Sequence, residues 1–506
     1  MKYAITTYNK NSRQSVINYA KQMKGLTFED ILNNANLSME ERERYAKGAN
    51  KGSLGILVEE VFFGYRANNI PDADFKNIGV ELKVTPMEYN KDGDLKAKER
   101  LVLSDIPQHK EWEGDTLEQA PFWKKAEWLL LVIYLFIEKY AEEKFRYEIK
   151  FVELFTPSEE DLLIMRADYK LIRQKYIDGQ AHEVSEGETL YLGASTKGAT
   201  AAKSLKPQFY NSQIKAKTRA WCYKVSYMTF VIQTRFQGLK KGCDPIFSSE
   251  RKQMLLQLGF AQSLESIVAN FIGKTKSELV SQFNINVSKT GREPKHFYSI
   301  LASRMLQASG SEDKLEEFEK AGICVKAVRL NSKGKMVEHL RLQDANLDNL
   351  AIKNLPFEES EFGEILDSLK IFFVVFKDNG KEQVFKGGFL WNMPYSDLKA
   401  VEKDFIKTQK VVSRGIKFKI TKKGNDRVGN NLPKASKTKV FHLRPHASKA
   451  LYILGKEKQK IGSGKLSDTV EVPVTGERCT RQAYWLNKSY VLPLITNKFP
   501  ELAGKD

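Results

Sequence analysis

Apolar and polar residues alternate with period two through Gly79-Val80-Glu81-Leu82-Lys83-Val84. Val80, Leu82 and Val84 fall on one face, and Glu81, Lys83 and Thr85 on the other. That pattern predicts a half-buried strand with an apolar back. Upstream, residues 1–50 read as helical, with Thr27 placed to cap the segment that opens Phe28-Glu29-Asp30. Ile56–Phe63 has the apolar spacing of a buried helix carrying the acid pair Glu59-Glu60, and the loop Gly64–Pro71 follows. Beyond the central strand, Lys91-Asp92-Gly93-Asp94 predicts a hairpin turn, followed by a basic strand over Lys96–Leu103. The apolar run Trp128–Ile137 is too short to span a bilayer and reads as a core strand. Another strand is expected at Phe145–Phe155, and a polar helix with acidic residues in its first turn at Pro157–Ile177.

After residues 229–262, which read as a linker and transition, the pattern begins again. Gly25-Leu26-Thr27-Phe28-Glu29-Asp30-Ile31 returns as Gly273-Lys274-Thr275-Lys276-Ser277-Glu278-Leu279. The stretch Asp74 to Lys83 returns as Glu317 to Lys326. Turn signals recur at Asp92-Gly93 and Lys333-Gly334, an apolar strand at Ile371–Phe376, and a Pro-led acidic helix at Pro394–Lys407. Several weak similarities in one order and at similar spacing indicate two copies of one domain. The expected division is 1–235, a linker over 236–262, and 263–506.

Charge narrows the partner. Lys and Arg number 81 against 63 Asp and Glu, a net charge of +18, which favours a polyanion. Lys, Arg, Tyr and Phe interleave through 187–228 and again at Arg481–Tyr490, a composition suited to a nucleic-acid face. Cys222, Cys243, Cys324 and Cys479 lack the spacing of a zinc ribbon or a disulfide framework and suit a reducing compartment. No apolar leader opens MKYAITTYNKNSRQS, so the expectation is a cytoplasmic protein with no membrane partner.

The chemistry lies on the alternating strand. Asp74 precedes Glu81 by seven residues, and Lys83 follows it by two on the same face. Two carboxylates hold a hard divalent cation through oxygen, and a lysine beside them can stabilise charge on a phosphate or orient water. In the second copy Glu81 becomes Cys324, a poor ligand for Mg²⁺, while Asp74 becomes Glu317 and Lys83 is kept as Lys326. Cys324 reads as a small core residue rather than a zinc ligand or redox group. That copy is expected to have lost cleavage and kept binding. Its strand Lys439–Ala447 ends in Arg444-Pro445, where Arg444 could bind guanine bidentately or a phosphate. Tyr484 and Trp485 sit beside Arg481 and Lys488.

KGSLGILVEE followed by DFKNIGVELKVTP resembles MutH, the mismatch-repair endonuclease that nicks at GATC. The duplicated layout is more similar still to the GATC-cutting restriction endonucleases of the Sau type, which pair a MutH-like catalytic domain with a MutH-like effector domain. The resemblance implies an α/β PD-(D/E)xK nuclease fold, a mixed sheet flanked by helices, present as two tandem domains. It implies Mg²⁺ as cofactor, with Asp74 and Glu81 as its ligands and Lys83 as the catalytic lysine. A further glutamate falls on Glu59 counted from Lys51-Gly52, and on Glu60 counted back from Gly64. A second family lysine matches Lys125, with Lys124 the alternative. Lys51 and Tyr210 match DNA-contacting positions, and Trp485 is expected as the second-copy counterpart of Tyr210. The family's Arg-Pro pair is replaced by Leu192-Gly193-Ala194 in the first copy and kept as Arg444-Pro445 in the second.

The expected activity is hydrolysis of both strands of double-stranded DNA at GATC in a bacterial cytoplasm. The second domain would bind another copy of the site as an effector, giving two sites per functional complex. The protein is expected to be a monomer in solution that can dimerise on DNA. The rivals are a mismatch-repair nickase, which needs one copy of the domain, and a DNA-binding protein that does not cleave.

Overall fold

The computed structural model describes residues 7–35, 37–47, 52–66, 72–197, 204–239, 242–288, 293–294, 296–307, 314–421 and 427–504. These pack as two compact units. One comprises Met1–Cys243 with Glu316–Gly322, the other Asp244–Leu315 with Ile323–Asp506.

The first unit is built on a mixed sheet. Its strands are β1 (Glu81–Tyr89), β2 (Leu95–Ala97), β4 (Leu129–Leu135) and β5 (Glu148–Phe155), in the order β2-β1-β4-β5. β1 runs parallel to β4, with Glu81 opposite Leu129, while β4 and β5 are antiparallel. β4 reads LLLVIYL and its residues are buried almost throughout. A strand covered on both faces gains from apolar residues at every position, which explains the unbroken run. The basic strand expected at Lys96–Leu103 is instead two strands, β2 and β3 (Leu101–Ile106). β3 leaves the first sheet and joins β6 (Leu192–Thr196) and β9 (Arg219–Tyr223) in a second, antiparallel sheet ordered β3-β9-β6. Between β6 and β9 lies the short hairpin β7 (Leu205–Pro207) with β8 (Lys215–Lys217).

Helices Arg13–Ala20 and Phe28–Asn34 close the first sheet on one side through Val16, Phe28, Ile31, Leu82 and Val132. Thr27 caps the second of these: its hydroxyl accepts from Asp30 N, and Asp30 returns the bond to Thr27 N at 2.8 Å. Helix Glu159–Ile177 buries Asp168, whose carboxylate accepts the backbone amides of Leu190, Tyr191 and Leu192. That contact fixes the entry into β6.

The second unit, taken by itself, repeats this plan. Strand Ile323–Leu330 runs parallel to Lys370–Asp378, which is antiparallel to Gln383–Asn392. A second antiparallel sheet orders Leu340–Asp344, Gln482–Leu486 and Phe441–Pro445 with the Gln482–Leu486 strand central. Thr275 and Glu278 form the same reciprocal cap as Thr27 and Asp30. Asp404, on helix Tyr395–Val412, accepts from Lys439 N and Val440 N at 2.7 Å, as Asp168 does before β6.

The stretch expected as linker, 236–262, contains the first half of helix Lys252–Ala269, broken at Gly259 (φ 74°). Leu255, Leu264, Ile267 and Val268 of that helix are buried, so it belongs to a core. Among the described residues no helix is long and apolar enough to cross a membrane.

Candidate active site

A tight turn assembles the carboxylates. Phe75 and Val80 form an antiparallel bridge across the 3-10 turn Lys76–Ile78, and Gly79 closes it with φ of 62°. An L side chain is strained there, so glycine is the residue the turn requires. The turn folds Asp74 back onto β1, where its Oδ2 accepts Leu82 N at 2.9 Å. Asp74 and Glu81 therefore flank one end of the strand. The polar face of β1 is not solvated as its alternation suggested: Glu81 is only 6% exposed, and Thr85 likewise.

Glu59 comes from a different element. Helix Ser53–Leu57 continues as a π-helical turn over Val58–Phe62, in which Phe63 N bonds Val58 O at 3.0 Å. Such turns insert a residue and change which way side chains leave the helix, often at functional sites. Glu59 faces the fields of Asp74 and Glu81. Burial first, then those two carboxylates, push its pKa up to about 7. Burial and Glu81 likewise raise Asp74 to about 6, against the Leu82 amide, which favours its charged form. Glu60 points elsewhere, to the Arg44 guanidinium and to Tyr45 Oη at 2.9 Å. Tyr65 also lies in the field of Asp74 and Glu59, and its buried hydroxyl has no hydrogen-bond partner.

Two ammonium groups face Glu81. Lys83 Nζ donates to Oε1 at 3.0 Å, and Lys125 Nζ stands 3.8 Å from Oε2. Lys125 reaches the site from the short helix Trp123–Ala126, whereas Lys124 on the same helix is exposed. Oε2 of Glu81 is buried and accepts no hydrogen bond among the described residues.

The residues fit a hard cation. A buried carboxylate oxygen without a hydrogen-bond donor among the described residues lies beside two further carboxylates raised first by burial and then by neighbouring negative charge, a setting that a bound cation would relieve. Among the described residues no group of three or more His, Cys, Asp or Glu is placed to hold a metal ion by itself. Mg²⁺ does not need one, since it commonly takes one or two carboxylates and fills its octahedron with water and substrate phosphate.

Glu81, Lys83 and Lys125 line a cleft of about 730 Å³ that continues past Lys110, Trp112 and Lys197. Sequence reasoning did not single out these last three. Trp112 is held by donating its indole N–H to Tyr169 Oη at 2.9 Å, and its backbone N–H to Tyr210 Oη at 3.0 Å. Tyr210, more than a third exposed in the β7–β8 loop, thus buttresses the cleft wall. The available signal was a tryptophan set among charges in HKEWEGD, but no periodicity marks such a loop. Lys51 lies outside the described residues.

In the second unit Cys324 lies opposite Ile371 in the parallel pair and donates its thiol to Lys370 O at 3.3 Å. Arg444 stacks over Trp485, its guanidinium 5.1 Å from the ring centre. Trp485 sits in the Gln482–Leu486 strand, whose place in its sheet is that of β9. Its positional counterpart in the first unit is therefore on β9, and not Tyr210, which belongs to the loop before β8. Arg444 lies on Phe441–Pro445, whose place in the sheet is that of β6.

The family model described as "DNA mismatch repair enzyme MutH" matches residues 63–168, which hold Asp74, Glu81, Lys83 and Lys125. The type II restriction enzyme Sau3AI of Staphylococcus aureus is 30% identical over 509 aligned residues, covering 95% of this chain and 97% of the relative. An alignment of that extent, together with the MutH match across β1, β4 and β5, identifies the chain as a type II restriction endonuclease of the MutH-like family that includes Sau3AI.

Proposed function

We propose that the protein hydrolyses both strands of duplex DNA at GATC with Mg²⁺. In this reading the first unit cuts, and the second binds another copy of the site and stimulates it. The observation that carries the cleavage reading is the buried Glu81 carboxylate beside Asp74 and Glu59, its Oε2 accepting no hydrogen bond among the described residues and Lys83 and Lys125 facing it. Asp74 and Glu81 would hold the cation, with Glu59 adding negative charge behind them. When bound, Mg²⁺ supplies Lewis-acid polarisation of the scissile phosphate. Lys83, at the cleft, stabilises negative charge gathering on the phosphoryl oxygens and orients the attacking water. Lys125 shares that load and holds Glu81 in place between two cations. Lys110 and Lys197 extend positive charge along the cleft, where a DNA backbone would run.

The effector role is supported by the repeated sheet plan, in which Cys324 stands where the first unit has Glu81. Chemistry is absent there, while the exposed Arg444 and its partner Trp485 are kept. Digestion of a sequenced plasmid with Mg²⁺, followed by end-mapping, tests the proposal. Linear fragments ending at GATC are expected. Open circles without linear product would point to nicking, and no cleavage with any divalent cation would remove the catalytic assignment.

A further inference from the structure

The second unit contains a cavity of about 420 Å³ whose wall includes Lys326, Arg329, His339, Arg341 and Trp485. Lys326 occupies the register position that Lys83 has in the first unit: it lies two residues past Cys324 and opposite Phe373, as Lys83 lies two residues past Glu81 and opposite Leu131. The charge around it is inverted. Lys83 is paired with a carboxylate at 3.0 Å. Lys326 forms no ion pair among the described residues, because the thiol of Cys324 has replaced that carboxylate. Two acids do line the cavity, but Glu293 is taken by Lys276 and Glu338 by Arg329. Arg341 is paired with Asp344 at 2.8 Å, yet Asp344 is shared with Arg481. Two N–H groups of the wall, Arg341 Nε and Trp485 Nε1, have no acceptor among the described residues. Arg341 and Trp485 are direct cross-strand partners, so these donors belong to one patch.

We propose that this cavity is a metal-independent site for one phosphodiester of duplex DNA, with Lys326 and Arg341 neutralising the charge that a cation neutralises in the first unit. The proposal rests on the reading that the second unit binds DNA. Physically, an ammonium left in a half-buried wall without a counter-ion is costly, and an incoming phosphate both pairs it and supplies acceptors. Burial depresses the Lys326 pKa, with Cys324 opposing the shift and Arg341 adding to it. The Glu81-to-Cys324 exchange then has a function. A carboxylate without its cation would repel the phosphate, whereas a thiol that spends its proton on Lys370 O does not.

The test uses the full chain in EDTA, so that nothing is cut, and measures the binding of duplexes carrying one GATC site. Single phosphates are replaced in turn by neutral methylphosphonates. For the native protein, one position should weaken binding of the second duplex by about tenfold, the scale of a charge-assisted hydrogen bond. Lys326→Met should cause the same loss and make that position silent, and Lys326→Arg should restore it. The methylphosphonate series on native protein keeps the test valid should Lys326→Met fold poorly. Native protein binding two duplexes with Lys326→Met unchanged would overturn the pocket and leave the effector reading standing. Native protein binding only one duplex would overturn both. Displacement of duplex by inorganic phosphate, beyond that by chloride of equal ionic strength, with no sensitive methylphosphonate position, would assign the site to free phosphate and overturn the DNA proposal.

Discussion

Lys125 Nζ stands 3.8 Å from Glu81 Oε2, an oxygen that accepts no hydrogen bond among the described residues. The two residues come from a four-residue helix and from the first strand of the sheet, 44 positions apart in the chain. Lys83 holds the other oxygen of the same carboxylate. Glu81 is thus placed between two ammonium groups, with Oε2 in ion-pair range of Lys125 but beyond hydrogen-bond distance.

Glu81→Ala should abolish cleavage while leaving DNA binding intact, read by gel shift in EDTA. Lys83→Ala and Lys125→Ala should each lower the cleavage rate, by about 10²–10³-fold if either ammonium stabilises the developing charge. Lys124→Ala, altering an exposed neighbour, should change the rate far less.

The acid pair on the π-helical turn should separate by assay. Glu59→Gln should reduce Mg²⁺-dependent cleavage and leave the metal-free melting temperature unchanged or raised, since it relieves repulsion among three carboxylates. Glu60→Gln should leave the rate near native and lower stability by about 1 kcal/mol, the scale of a partly exposed charged hydrogen bond. Equal effects of both changes on rate would contradict the division between them.

Asp168 and Asp404 should behave alike although they lie in different units. Each is a buried helix carboxylate accepting backbone amides that lead into a strand. Asp168→Ala or Asp404→Ala leaves those amides without partners and should cost about 2–4 kcal/mol, seen in denaturant titration.

The His339–His442 pair, 4.6 Å apart, makes the second unit sensitive to acid. Burial, then His442, Lys488 and Arg444, depress the His339 pKa from 6.5 to about 4. Its Nδ1 also accepts Lys488 N at 3.1 Å, a bond that ring protonation would break. Between pH 4 and 6.5 the unfolded chain binds more protons than the folded one, so stability rises with pH through that window. It should be fully present above about 6.5 and lost as pH falls toward 4. His339→Asn should flatten this part of the melting-temperature profile; an unchanged slope would refute the assignment.

Much of the candidate site was legible because its parts are local. The alternation around Val80–Val84 gave the strand, and Glu81 and Lys83 two positions apart had to leave it on the same side. Gly79 before the strand and Thr27 before its helix are likewise choices made by backbone geometry within a few residues. The apolar runs at Leu129 and Ile371 announced central strands, since only a strand covered on both faces tolerates them.

From the chain alone came the expectation of a duplicated α/β plan, of chemistry around Asp74, Glu81 and Lys83, and of its loss at Cys324. The tertiary structure decided what sequence separation hides. It set Glu59 in the field of Asp74 and Glu81 while Glu60 pairs with Arg44, and it brought Lys125 rather than the exposed Lys124 to Glu81. It buried the polar face of β1, brought Trp112 and Lys197 to the cleft, and left Lys326 without a counter-ion. Periodicity reports which residues share a face of their own element. Which face meets which partner is set by the packing of distant elements against one another, and the fields that perturb a carboxylate or strand an ammonium exist only after that packing.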